Sequence, residues 1–293
     1  MLFVIGTVYA VKNDLGTFFM NAKNAVTNIV RGTNTQNTSD LTQKISEMPR
    51  SIEPGPLVVK NKDSGNVTSD SGTITSDSII NFTNQERTKA GLAPLVKNDL
   101  LAHSSKSKTN DMFALEYFEH VSPSGKTLGA LSKEAGYDYI LIGENLAMGD
   151  FANSKAVVTA WMNSPGHRAN ILNGKFTDIG VTAKYAMYHD QMVWMIVQHF
   201  GTPVSLCGIV DDSLKLKIDT EQADLALKEQ ELVLLKKELE NGGGAVDFTH
   251  EQKVEDYNAR VKIYNGLVIR TKEDIGIYNE QVRSFNTCVQ SKQ

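Results

Sequence analysis

Three short stretches set ionisable side chains beside residues that turn the chain. They are Phe118-Glu119-His120-Val121-Ser122-Pro123-Ser124-Gly125, Gly143-Glu144-Asn145-Leu146-Ala147, and Trp161-Met162-Asn163-Ser164-Pro165-Gly166-His167-Arg168-Ala169-Asn170-Ile171-Leu172. Gly and Pro supply backbone shapes that other residues resist. His120, Glu144 and His167 are therefore predicted to leave regular structure and converge on one cleft. Two imidazoles and a carboxylate suit a divalent ion or proton transfer near neutral pH. As metal ligands, His120, His167 and Glu144 would make a three-ligand, open zinc site; Zn²⁺ or Ca²⁺ is the cofactor considered. Asn145 is expected to bond backbone and hold a turn at Gly143, and Gln198 to contact a ligand. Ser122 and Ser164 lie close enough to the histidines to raise a Ser–His nucleophile pair. Neither carries the signature of a nucleophile elbow or an oxyanion hole, and both fit turn hydrogen bonds beside Pro123 and Pro165.

The elements that must position these residues can be read from periodicity and caps. Ile79, Ile80, Phe82 and Thr83 head a helix that Gly91 ends. Asn98 caps a second helix running to about Glu116, with Leu100, Leu101, Met112 and Leu115 on its buried side. Further helices are predicted over Leu128–Ala135 and Ala152–Asn163. Strands follow at Asp178–Lys184 and Met192–Phe200, joined by a turn at Tyr188-His189-Asp190. The second strand is apolar on both faces, which predicts a central position covered on both sides. Helices on two faces of a small antiparallel sheet give an α+β, three-layer α-β-α sandwich over residues 76–203.

Taken in order, these motifs resemble the CAP superfamily, the SCP-like extracellular domains, in their bacterial form. The resemblance rests on Asn84-Gln85-Glu86-Arg87, Gly91-Leu92-Ala93-Pro94-Leu95, the three stretches above, Ile179-Gly180-Val181 and Gln198-His199-Phe200-Gly201. It implies the same α-β-α sandwich, with a central cavity lined by two histidines and two acids that in some members bind Zn²⁺ or another divalent ion. His120, Glu144 and His167 match three of those four positions. The second acid belongs about three residues after Trp161, where this chain has Ser164.

The rest of the chain differs in character. Leu2 to Val11 is an apolar run, and Phe18, Ala22, Val26 and Ile29 continue at helical spacing. A spanning helix needs about 20 apolar residues. Residues 1–31 accordingly read as an N-terminal helix, either the tail of a membrane anchor or a short interfacial element. Residues 32–75, rich in Thr, Ser, Asn and Gly with Pro49, Pro54 and Pro56, read as a polar linker. From 207 to 290 the spacing predicts two helices. Leu214, Ile218, Glu221, Leu225, Lys228, Leu232, Leu235 and Leu239 mark the first; a cleaner heptad of Val254, Tyr257, Val261, Tyr264, Val268, Thr271, Ile275, Tyr278, Val282, Phe285 and Val289 marks the second. Gly242-Gly243-Gly244 separates them, which predicts an antiparallel coiled-coil hairpin. Measured from that turn, its arms back to Cys207 and on to Cys288 differ by only about 6 Å at about 1.5 Å per residue. The two cysteines are thus brought to one end and predicted to form a disulfide. A bridge belongs outside the reducing cytosol.

Composition narrows the function further. A net charge of −4 over 293 residues, with no basic cluster, gives no reason to expect nucleic acid. The layout is that of an extracytoplasmic, surface-tethered or secreted binding module with a His/Glu cleft for a divalent ion or small ligand. The partners considered are a cell-wall or lipid ligand, an N-terminal membrane attachment and a second copy through the hairpin. The alternatives are a metal-assisted, peptidase-like hydrolase, in which Glu144 is ligand or general base, and an inert scaffold carrying a helical arm.

Overall fold

The structure is a computed structural model that describes residues 50–59, 74–241 and 248–293. The N-terminal helix predicted for 1–31, most of the linker and the glycine turn lie outside the described residues. The chain divides into two compact units, one holding residues 50–208 with 285–293, the other 209–284.

The first unit is built on a mixed sheet. Its strands are β1 (Arg50–Ile52), β2 (Leu57–Val59), β3 (Val96–Lys97), β4 (Tyr139–Gly149), β5 (Asp178–Tyr188) and β6 (Gln191–Pro203). The order is β1-β4-β6-β5-β3, and β2 also pairs with β4. As the two-faced apolar pattern predicts, β6 is central. It pairs antiparallel with β4 on one side and β5 on the other. The β5–β6 hairpin turns at His189 and Asp190, which both have positive φ, a conformation that His and Asp tolerate better than most residues.

Five helices cover the sheet: α1 (Ser76–Lys89), α2 (Asp99–Ala114), α3 (Leu128–Glu134), α4 (Ser154–Asn163) and α5 (Pro165–Ile171). Strand alternation sorts their partners. Leu141 and Ala147 of β4 and Ile196 and Phe200 of β6 pack with Ile79 and Ile80 of α1, Val157, Val158 and Trp161 of α4, and Ile171 of α5. Leu146, Met195 and Val197, on the other face, pack with Met112 of α2, and Ile142 packs with Leu101 and Leu128. Asn98 caps α2, its side chain accepting from the amides of Leu100 and Leu101. Leu101 and Met112 are buried as expected, whereas Leu100 and Leu115 are exposed. Leu100 lies in the first turn, one residue from the buried Leu101, and Leu115 is the C-cap beyond the last full turn.

Arg87 ties α1 to the opposite end of this layer. It is almost fully buried and has no carboxylate partner among the described residues. Instead its guanidinium donates to the carbonyls of Ala93, Ile171, Asn173 and Phe176. Burial pushes its pKa down, yet the four carbonyls keep the cation solvated by protein.

Three features differ from the sequence reading. Residues 50–59, inside the stretch read as linker, form β1 and β2 on the free edge of β4. The Gly143-Glu144-Asn145 stretch is the middle of β4 and makes no turn. A Cβ at Gly143 would lie 2.7 Å from the Phe176 ring, so glycine serves packing there. Finally, Ser164-Pro165-Gly166-His167 opens helix α5, with Pro165 in its first turn, where a missing N–H costs nothing.

The second unit holds α6 (Asp212–Asn241) and most of α7 (Phe248–Lys292). Leu225, Leu232, Tyr257, Tyr264 and Leu267 form its core. The helices run antiparallel: Lys217 pairs with Asp274 and Glu231 with Arg260, so one number rises as the other falls. The final turns of α7 belong to the first unit. There Cys288 is disulfide-bonded to Cys207, 81 residues away in sequence. The predicted bridge is present.

Candidate functional site

Glu144 sits in the middle of β4, fully buried. A lone buried carboxylate would be driven to its neutral form. Here burial is opposed by two histidines. His120 Nδ1 lies 2.6 Å from Oε1, and His199 Nε2 lies 2.8 Å from Oε2. Their hydrogen bonds, with the charges of His199 and Lys108, hold the Glu144 carboxyl down at about 2. Glu144 is therefore an anion with both oxygens engaged.

His120 follows α2 and is reached from three sides. Its Nε2 meets the Pro54 carbonyl oxygen, and Glu53 Oε2 is 3.8 Å from Nδ1. A carboxylate and a carbonyl can only accept, so both ring nitrogens donate and the ring is an imidazolium. Burial alone would lower its pKa, but the hydrogen bond and charge of Glu144, then the Pro54 carbonyl, raise it. The His120 main chain is fixed from α2: the fully buried Lys108 donates to its carbonyl at 2.5 Å. Burial lowers the Lys108 pKa, against the pull of Glu144 and Asp111.

His167 does not join this cluster. Its Nδ1 contacts the Ser164 hydroxyl at 2.8 Å, and its Nε2 is buried on the side of the Leu146 carbonyl. Burial, then the positive charge of His120, pushes its pKa down to about 4. Ser164 and His167 thus meet as a pair, but among the described residues no carboxylate orients the imidazole as a nucleophile's base requires. Ser122 bonds the hydroxyl and amide of Ser124 in its own turn.

Asn145 and Gln198 lie on the other face of the sheet. The Asn145 amide donates to Gln198 Oε1 at 3.1 Å and to the His167 carbonyl at 3.2 Å. Asn170 donates to Asn145 Oδ1, and Gln198 donates to Thr83 Oγ1. This buried amide chain locks α1, α5, β4 and β6 together. It holds the α5 backbone rather than a Gly143 turn, and it uses up the polar atoms that Gln198 was expected to offer a ligand.

The predicted five-residue cleft is thus divided. His120 and Glu144 meet, His167 stands beside them, and Asn145 and Gln198 serve a structural network. The sequence reading missed Glu53 and His199. His199 was legible in principle, since it lies directly opposite Glu144 in the strand register, but only once β4 is recognised as a strand. Glu53 gave no periodic signal.

Among the described residues, the group that could hold a metal is Glu53, His120 and Glu144, whose ligand atoms lie within 4.8 Å of one another. Two carboxylates and one imidazole suit Zn²⁺ better than Ca²⁺, which prefers all-oxygen shells. Glu53 brings a second acid where Ser164 brings none. The fit requires His120 to give up a proton.

Residues 80–200 match the model of the cysteine-rich secretory protein family, CAP. Over these residues the chain is a CAP-superfamily domain. The CAP match takes in Glu144, His120, His167 and His199; Glu53 lies outside it. Among curated proteins, the chain is 45% identical over 103 residues to the uncharacterized protein YkwD of Bacillus subtilis, covering 35% of this chain and 40% of that one. It is 33% identical over 115 residues to the uncharacterized membrane protein YlbC of the same organism, covering 39% and 33%. The chain thus spans well under half the length of either relative. A solved extracellular SCP-domain protein from Bacillus anthracis is 30% identical, with 45% of each chain covered and a TM-score of 0.38. Among the described residues no helix is long and apolar enough to cross a membrane.

Proposed function

We propose that the chain is an extracytoplasmic binding module whose CAP domain holds a divalent ion or small polar ligand at Glu53, His120 and Glu144. The observation that carries this reading is the buried Glu144 anion, bracketed by His120 and His199 with both oxygens engaged. Such an anion neutralises a cation beside it, the His120 ring at rest or an ion that takes the place of its Nδ1 proton. It is poorly set to act as a general base, which needs a free oxygen within reach of a proton. The hydrolase reading is therefore the weaker one. The disulfide supports a location outside the reducing cytosol, and a membrane attachment through the N-terminal residues stays part of the proposal.

The test is a calorimetric titration of Zn²⁺ into the full chain. Saturable binding that is lost in His120→Ala and in Glu53→Ala supports the reading. Binding of equal strength in both variants contradicts it.

A further inference from the structure

Residues 50–59 lie on the CAP domain as a bound peptide would. Ile52 pairs parallel with Gly143, and the pairing resumes at Leu57 opposite Ala147, shifted by one residue. In between, Glu53-Pro54-Gly55-Pro56 faces only Glu144-Asn145-Leu146, one residue fewer, so the strand must bow outward. Two prolines sit in the bow, where neither could donate to a ladder. The bow falls over Glu144, and the hydrogen bonds that anchor it from the domain go to its main chain. His120 Nε2 donates to the Pro54 carbonyl and Asn170 Nδ2 to the Ile52 carbonyl at 3.1 Å.

The surface beneath is shaped for this backbone. A Cβ at Gly166 would lie 2.6 Å from Pro54 Cβ, and one at Gly149 would lie 2.1 Å from the Val59 carbonyl oxygen. Both receptor positions are bare where the strand passes. Ile52, Leu57 and Val59 pack against the apolar cluster under α1 and α4, while Glu53 faces the His120 cation.

We propose that the β4 edge from Gly143 to Gly149 is a receptor for an extended peptide of the pattern apolar–acidic–Pro–Gly–Pro–apolar, and that residues 50–59 fill it in cis. Once that segment leaves, β4 presents an unpaired edge, which is a template for another strand. Main-chain anchoring lets a peptide from another molecule take the seat if its side chains match. The proposal deepens the binding reading above, since the same cleft holds the strand, and it needs no ion.

The probe is a labelled peptide of residues 50–59, followed by fluorescence polarisation on the full chain. In the wild type the cis segment competes, so binding is weak. The release variant Ile52→Asp/Leu57→Asp should bind at least about tenfold tighter, because the cis competitor no longer occupies the seat. Adding Gly166→Val should abolish that gain. If the double substitution does not fold, Pro54→Asp replaces it, with a rise in Tm on adding peptide as the readout. A release variant that binds no better than wild type, or a Gly166→Val chain that binds equally well, overturns the proposal. Zn²⁺ binding lost in His120→Ala, beside a release variant that ignores the peptide, overturns this inference and leaves the ion reading standing. Peptide binding without any response to Zn²⁺ does the reverse.

Discussion

Glu144 and His199 stand directly opposite each other on β4 and β6, with His199 Nε2 donating to Glu144 Oε2 at 2.8 Å. One position along, Asn145 stands opposite Gln198 and bonds it at 3.1 Å. Successive residues of a strand point to opposite faces. One pair of neighbouring strands therefore builds a charged cluster on the α2 face and a neutral amide network on the other. The first gathers the ionisable groups; the second holds the helices that frame it.

Replacing Glu144 should cost far more than an average substitution. Glu144→Gln keeps the shape but removes the anion between two imidazoles and leaves His120 without its buried counter-charge. The expected loss is about 3 kcal/mol, typical of breaking a buried pair from one side. Urea unfolding of the two proteins measures it, and a second readout is the His120 ring pKa by NMR, which should fall.

The two motif histidines predict opposite pH dependences. His120 has a raised folded pKa, so its contribution is complete below the unfolded value of about 6.5 and is lost as pH rises through the folded one. His167 is held neutral down to about 4, whereas the unfolded ring takes up its proton near 6.5. Stability is therefore lost on this account as pH falls from about 6.5 to about 4, by about 3 kcal/mol in all. Tm measured across pH should peak between these windows. His167→Gln should flatten the acid limb and leave the alkaline limb in place.

Arg87 offers a test of the scaffold apart from the site. Arg87→Met removes donors to four carbonyls at once. The expected cost is about 3 kcal/mol or more, since each buried acceptor left unpaired carries its own penalty. Thermal unfolding by circular dichroism checks it. Arg87→Lys should recover only part, because a single ammonium cannot reach the same fork of acceptors.

The Cys207–Cys288 bridge closes a long loop. In the chain-entropy model such a loop contributes up to about 4.5 kcal/mol, an upper figure. Reduction, or Cys207→Ser/Cys288→Ser, should lower the denaturant midpoint of the CAP unit. An unchanged midpoint would show that the unfolded chain keeps these ends together without the bond.

The sandwich was legible because β5, β6 and the capped helix α2 carry clean periodicity and an Asn cap. The helical pair was legible because spacing of three and four persists from Leu225 to Leu239 and again from Val254 to Val289. Strand β4 was hidden by Gly143 and Asn145, residues that weaken a strand pattern and are present here for packing against Phe176 and for the amide network. With β4 hidden, its partner His199 read as one more strand residue. Glu53 was hidden for another reason. It lies in a Ser-, Pro- and Gly-rich stretch whose composition indicates a tether, and only the free edge of β4 gives that stretch a place to pair.

The most direct test of the account is the proton count that accompanies Zn²⁺ binding. Because His120 donates from both nitrogens at rest, an ion at Glu53, His120 and Glu144 must expel its proton. Calorimetry of the full chain near pH 6, in two buffers of different ionisation enthalpy, should show about one proton released per ion bound. Release should persist in His167→Ala and vanish with binding in His120→Ala. Binding without proton release, or binding that depends on His167 and not on His120, would contradict the account.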